Sequence, residues 1–129
     1  MTPAPAPPII ADVAAAAALF APLADGALER AAVAYLDPER RLLGRSDFVG
    51  GPDRIAPPLR TIAATALRLD AVGLILAHSH PSGDVRPSAA DLAYTRRLAQ
   101  LAEALDLILI DHLILAGGEV TSLRQQGLL

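Results

Sequence analysis

Apolar and polar positions divide this chain into alternating helical and extended segments. From Asp12 to Ala24 the run DVAAAAALFAPLA joins an N-capping residue to strong helix formers, which predicts a helix ended by Pro22 with Gly26 shortly after. Leu28 to Leu36 alternates loosely up to the turn initiator Asp37-Pro38, and Arg41 to Val49 is a second extended stretch. Residues 28–49 therefore read as a hairpin, closed by Gly50-Gly51-Pro52-Asp53. After Pro57-Pro58, the residues Leu59, Ile62, Ala63, Ala66 and Leu69 recur at helical spacing and predict a helix ending near Asp70. Val72 to Ala77 is a continuous apolar run of the kind expected for a strand buried on both faces, and it delivers His78 to its C-terminal end. Turn formers from Pro81 to Pro87 lead into a long helix from Ser88, with Leu92, Thr95, Leu98, Ala99, Ala102 and Leu105 on one side. Leu107 to Ala116 is again apolar except for Asp111-His112, and Gly117-Gly118 turns it into a short strand around Val120 to Leu123.

Helix, hairpin, helix, strand, helix, hairpin describes an α/β (mixed α+β) chain, a single sandwich of a mixed central sheet flanked by helices, with the strand order left open. Residues 1–9 read as a Pro/Ala-rich lead-in and 10–129 as one domain. The Pro57-Pro58 and Gly50-Gly51 segments read as plain turns in preference to the border of a substrate groove.

With 129 residues, 53% of them hydrophobic, and a mean hydropathy of +0.40, the chain has material for one real core. A formal charge of −3 from 11 basic and 14 acidic residues argues against autonomous nucleic-acid binding, which relies on clustered cations. The absence of cysteine removes disulfides, thiolate zinc sites, iron–sulfur clusters and cysteine nucleophiles, so any metal must sit on His, Asp or Glu. No apolar run approaches a membrane span and Met1 to Asp12 lacks the basic start of a secretory signal; the expectation is a cytoplasmic protein with no membrane partner.

Candidate chemistry lies at the end of the buried strand. If the strand runs on through His78 and His80, residues two apart face the same way and both imidazoles reach one ion. Asp91, in the first turn of the following helix, can look back across the loop and complete a set of two histidines and one carboxylate. Three protein ligands leave a fourth position for water, which suits a hydrolytic centre better than a structural staple. Ligand types alone leave iron, manganese and nickel open beside zinc. A two-His-one-carboxylate oxygenase fits poorly, with too few strands for the barrel such enzymes use, and a zinc deaminase would need cysteines. Taken singly, His-x-His can merely end a strand and Ser88-x-x-Asp91 is an ordinary capping box; the combined spacing favours a site.

That combination, His78-x-His80, seven residues, then Ser88-x-x-Asp91, resembles the signature of JAMM (MPN+/JAB) metallopeptidase domains, and the longer string HSHPSGDVRPSAAD resembles the RadC family within them. The likeness extends from about Leu28 to Leu129 through ERAAVAYLD, LRTIAATALRLDA and DHLILAGGEVTSLRQQGLL. It implies a JAB/MPN-like fold and one zinc ion held by His78, His80, Asp91 and a water. It also implies a glutamate general base, and among four glutamates Glu29 stands where the family has its acid. Ser88 would stabilise the oxyanion. Ser79 replaces the family's usual Asn and should point away from the metal.

Asp111 and His112 interrupt an apolar strand and so need partners if buried; a role in orienting a ligand imidazole and a purely structural role carry equal weight. The expected activity is zinc-dependent cleavage of an amide bond in a peptide or protein. The alternative is a weakly catalytic or non-catalytic accessory protein associated with DNA repair. Because typical members of the family carry a DNA-suited N-terminal region that is not apparent here, that association is expected to be weaker.

Overall fold

The computed structural model describes residues 6–50 and 56–129. Asp12 caps helix α1 (Val13–Phe20) by accepting the Ala15 N–H at 2.8 Å. The α-helix stops just ahead of Pro22, which has no N–H for the preceding turn, and the rest of the expected run, Ala21–Ala24, tightens into a 3-10 turn. The hairpin forms as β1 (Arg30–Leu36) and β2 (Leu42–Val49), antiparallel, with Asp37 Oδ1 accepting the N–H groups of Glu39 and Arg41 in its turn. Of the residues expected to close the hairpin, Gly51 to Asp53 lie outside the described set.

Pro58 occupies the N-cap of α2 (Leu59–Arg68), followed by β3 (Gly73–Ser79), α3 (Ala89–Ala104), β4 (Ile108–Ala116) and β5 (Glu119–Ser122). The five strands lie in the order β2-β1-β3-β4-β5, and only β3 and β4 are parallel, as the α3 crossover between them requires. Every residue of β3 is buried, in keeping with its uninterrupted apolar run.

Strand alternation divides the core into two layers. Ala32, Ala34, Leu36, Ile75, Ala77, Leu113 and Leu115 face α1, where Ala16 and Phe20 cover them. Val33, Tyr35, Leu74, Leu76 and Leu109 face α2 and α3 and meet Ile62, Ala66, Leu98 and Ala102. Burying a side chain such as Ile62 or Leu98, both fully inaccessible, contributes roughly 1.5–3 kcal/mol.

The pairing of β3 with β4 is irregular at one point. Leu74 pairs with Leu109, yet Ile75 pairs with Asp111, so β4 carries Ile110 as an extra residue. Ile110 packs over Gly73, where a Cβ would stand 2.5 Å from Ile110 Cδ1, so a side chain at position 73 would have to displace the Ile110 methyl. Beyond the bulge, Asp111 shares the face of Ile75, towards α1, and His112 that of Leu76, towards α3.

Candidate metal centre

His78 sits near the end of β3, and the ladder continues one step further through the His80 N–H to Leu115 O bond at 2.9 Å. The pleat is thereby kept, and His78 and His80 emerge on the same face. Asp91 is fixed from the other side by a complete capping box. Ser88 Oγ accepts the Asp91 N–H at 3.0 Å, and Asp91 Oδ2 accepts the Ser88 N–H at 2.8 Å. The capping and ligand readings of Ser88-x-x-Asp91 are therefore compatible. The carboxylate that closes the helix end also presents Oδ1 3.3 Å from His78 Nε2 and Oδ2 3.1 Å from His80 Nε2.

Glu29, just ahead of β1, joins this group: one donor atom from each of Glu29, His78, His80 and Asp91 lies within 4.8 Å of the others. Two bonds hold the start of β1 there, from the Arg30 N–H to Ser79 Oγ at 3.0 Å and from the Gly50 N–H to Glu29 O at 3.0 Å. Ser79 thus points to the opposite face from the imidazoles and ties β3 to the strand behind Glu29.

The imidazole protons are placed by groups that can only accept. Thr95 Oγ1 lies 2.7 Å from the Asp91 carbonyl, which must receive its single hydroxyl proton. Toward His112 Nδ1, 2.6 Å away, Thr95 therefore accepts, so His112 carries its proton on Nδ1 and leaves Nε2 bare. That bare nitrogen lies 2.6 Å from His78 Nδ1 and accepts its N–H, which leaves a lone pair on His78 Nε2. His80 arrives at the same state separately, since its Nδ1 donates to Asp84 O at 2.7 Å. Gly83, at φ +84°, makes the tight turn that brings this carbonyl back.

With both rings neutral, two lone pairs 2.7 Å apart beside a carboxylate repel one another, and either a proton or a metal cation among them relieves the repulsion. Burial, reinforced by charge on His78, pushes the His112 pKa down to about 3, so this ring stays neutral and keeps accepting. Burial alone would raise the Asp91 pKa, but a proton taken up on His78 Nε2 in place of a metal ion gives the carboxylate a hydrogen bond and a neighbouring positive charge, and with the Ser88 N–H and hydroxyl these hold it well below the usual carboxylate range.

The donor set fits zinc. Bonds of about 2.0–2.2 Å at a tetrahedral angle put neighbouring donors roughly 3.3–3.5 Å apart. The nitrogen–oxygen separations of 3.1 and 3.3 Å are close to this, and the 2.7 Å between the two nitrogens would need only to open. Candidate ligands on a strand end and on a capped helix, each imidazole oriented by a second hydrogen bond, form a cluster that could hold a metal ion with little rearrangement.

Asp111 is not brought to the cluster. Turned to the other face by the bulge, its carboxylate accepts from Ser122 Oγ and from the N–H groups of Arg124 and His112, bracing β4 against the chain after β5. The residue that the sequence reading placed only in an apolar helical stripe, Thr95, is the one that sets the His112 tautomer. Its signal was a polar residue four positions after Asp91 on a face that is otherwise apolar. Pro57, read as part of a plain turn, lines a cleft of about 260 Å³ that runs from His78 and Asp91 along α3.

A five-stranded mixed sheet with three helices and a His/His/Asp centre at the end of its buried strand defines a JAB-like domain with a potential metal site. The model of the RadC-like JAB domain matches residues 10–128, and the chain belongs to the RadC family. It is 47% identical over 110 residues to a UPF0758 protein of Acidithiobacillus ferrooxidans, covering 84% of this chain and 49% of the relative. UPF0758 protein tlr1707 of Thermosynechococcus vestitus is 43% identical over 113 residues, 86% of this chain and 45% of the relative. UPF0758 protein YkfG of Escherichia coli is 40% identical over 98 residues, 75% of this chain and 62% of the relative. The chain spans about half the length of the first two relatives. Among the described residues no helix is long and apolar enough to cross a membrane.

Proposed function

We propose that this domain is a zinc-dependent hydrolase that cleaves an amide bond in a peptide or protein substrate. The observation that carries the reading is the convergence of ligand atoms from Glu29, His78, His80 and Asp91 within 4.8 Å of one another, with both imidazoles turned so that Nε2 faces the carboxylate, an arrangement suited to a metal cation. His78, His80 and Asp91 would hold the ion. Zinc in such a site supplies Lewis acidity and brings a coordinated water to a pKa of about 7.

Glu29 stands close enough to the donor atoms to take a proton from water and pass it to the departing amine. Ser88 Oγ accepts the Asp91 N–H, while its own hydroxyl proton is uncommitted among the described residues and free to be donated to a developing oxyanion. The cap therefore aligns a hydroxyl and a ligand carboxylate in one turn of helix.

Metal content by elemental mass spectrometry, on wild type and His80→Ala purified alike, tests the centre. About one zinc per chain, lost in the variant, is expected. No metal in either, even after zinc is supplied, would refute the reading and leave a binding domain. With a peptide and isopeptide screen in hand, Glu29→Ala should keep zinc and lose about 10²–10⁴-fold in kcat. Undiminished turnover would remove Glu29 from the reaction, and loss of zinc would make it a ligand.

A further inference from the structure

The cleft beside the metal centre has a chemical polarity of its own. Its floor is Ala31 with Leu76, and α3 contributes Ala90, Ala93, Tyr94 and Arg97, the i, i+3, i+4, i+7 stripe of one helix face. Tyr94 is pinned by its hydroxyl, which donates to Pro57 O at 2.6 Å, so this wall is fixed. Small side chains leave room for an extended backbone. Arg97 is the one cationic side chain among the described lining residues, and it makes no ion pair among the described residues.

Arg97 follows Asp91 by six residues, about 9 Å along the helix axis. An extended peptide advances about 3.3 Å per residue, so a group held by Arg97 belongs two or three residues from a bond placed at the metal centre. We propose that this cleft binds an extended peptide and that Arg97 receives a carboxylate two or three residues from the cleaved bond, which makes acidic peptides the preferred substrate class. The proposal rests on the hydrolase reading for the placement of the bond. A guanidinium fork matches a carboxylate in shape and charge. The carboxylate has two sources, an acidic side chain or the peptide's own C-terminus.

Binding of fluorescein-labelled tetrapeptides, followed by anisotropy on metal-free and zinc-supplied protein, separates them. One pair compares a C-terminal carboxylate with the carboxamide, and the other compares Glu with Gln in peptides amidated at the C-terminus. Because Arg97 is exposed, a preference of about fivefold for the carboxylate member of at least one pair is expected. Arg97→Gln should reduce it to less than about twofold, while Arg97→Lys retains part of it. The pair that shows the preference names the source.

No preference in either pair, including no binding at millimolar protein, overturns the proposal, as does a preference that survives Arg97→Gln. A short oligothymidylate that binds more tightly than any peptide and depends on Arg97 would also overturn it, in favour of a phosphodiester site. Zinc content measured on the same samples keeps the two readings apart. A carboxylate preference in protein that takes up no zinc when zinc is supplied refutes the metal centre and leaves the cleft assignment standing; zinc uptake without the preference does the reverse.

Discussion

Replacing Thr95 by Val deletes one oxygen and keeps the volume of a side chain that is 2% exposed. The oxygen has two partners, the Asp91 carbonyl at 2.7 Å and His112 Nδ1 at 2.6 Å. The carbonyl keeps its bond from the helix, but the His112 N–H loses its acceptor in a buried site, which costs about 1–3 kcal/mol. His112 can escape that penalty by moving its proton to Nε2. There it faces His78 Nδ1, which must then accept, and the His78 proton moves to Nε2, the atom that would bind the metal. The ligand can thus be regained only by restoring the unfavourable tautomer. The loss in zinc affinity is bounded by the same 1–3 kcal/mol, about 5–150-fold, which brackets the 10–100-fold found when groups orienting metal-bound histidines are removed.

Competition with a chromophoric chelator measures this directly, and long-range nitrogen–proton correlation spectra of the metal-free protein report the tautomers of His78 and His112. Thr95→Val should bind zinc about 10–100-fold more weakly and show the proton moved in both rings. Thr95→Ser, which restores the hydroxyl, should return to within about threefold of wild type, a recovery that lost packing alone cannot explain. Wild-type affinity in Thr95→Val, with His80→Ala devoid of metal, would refute the relay.

Two further expectations concern the elements that support the centre. In chelator, stability should fall as the pH drops below about 6.5, because the unfolded chain protonates His112 while burial keeps the folded ring neutral down to about pH 3. At about 1.4 kcal/mol per pH unit the loss is about 2 kcal/mol between pH 6.5 and 5; urea midpoints should show it, with His112→Asn flattening that part of the profile, and an unchanged slope in the variant would contradict the assignment. Gly73→Ala sets a Cβ against Ile110 Cδ1 and should cost about 1–3 kcal/mol in urea unfolding and weaken zinc binding in step. Adding Ile110→Val, which removes the clashing atom, should recover most of both; an unaffected Gly73→Ala would show that the bulge does not depend on the glycine.

The fold was legible wherever a local cause determines local structure. The apolar run before His78, the turn at Asp37-Pro38 and the alanines after Asp12 each predict the element that forms, and the fixed spacing from His78 to Asp91 brings the donors together because a strand end, a short loop and a capped helix leave little freedom. Strand order was not legible, since the apolar pattern of β1 or β4 does not say which neighbour it meets. Pro22 showed where α1 must stop but not that the chain would tighten into a 3-10 turn.

The orientation of the imidazoles was the least legible feature, for a definite reason. Adjacent residues in a strand point to opposite faces, so only one of Asp111 and His112 can serve the metal side, and residue type favours the aspartate, a carboxylate beside a histidine. Had β4 continued in register from the Leu74–Leu109 pair, Asp111 would have lain opposite Leu76, on the face of His78, and His112 would have turned towards α1. The single extra residue at Ile110 exchanges them. A buried neutral ring then takes the place of a buried charge, and because a ring has two nitrogens, it must be told by Thr95 which one carries the proton. The bulge therefore makes the centre depend on a threonine of another element, a dependence visible only once the pairing of β3 with β4 is known.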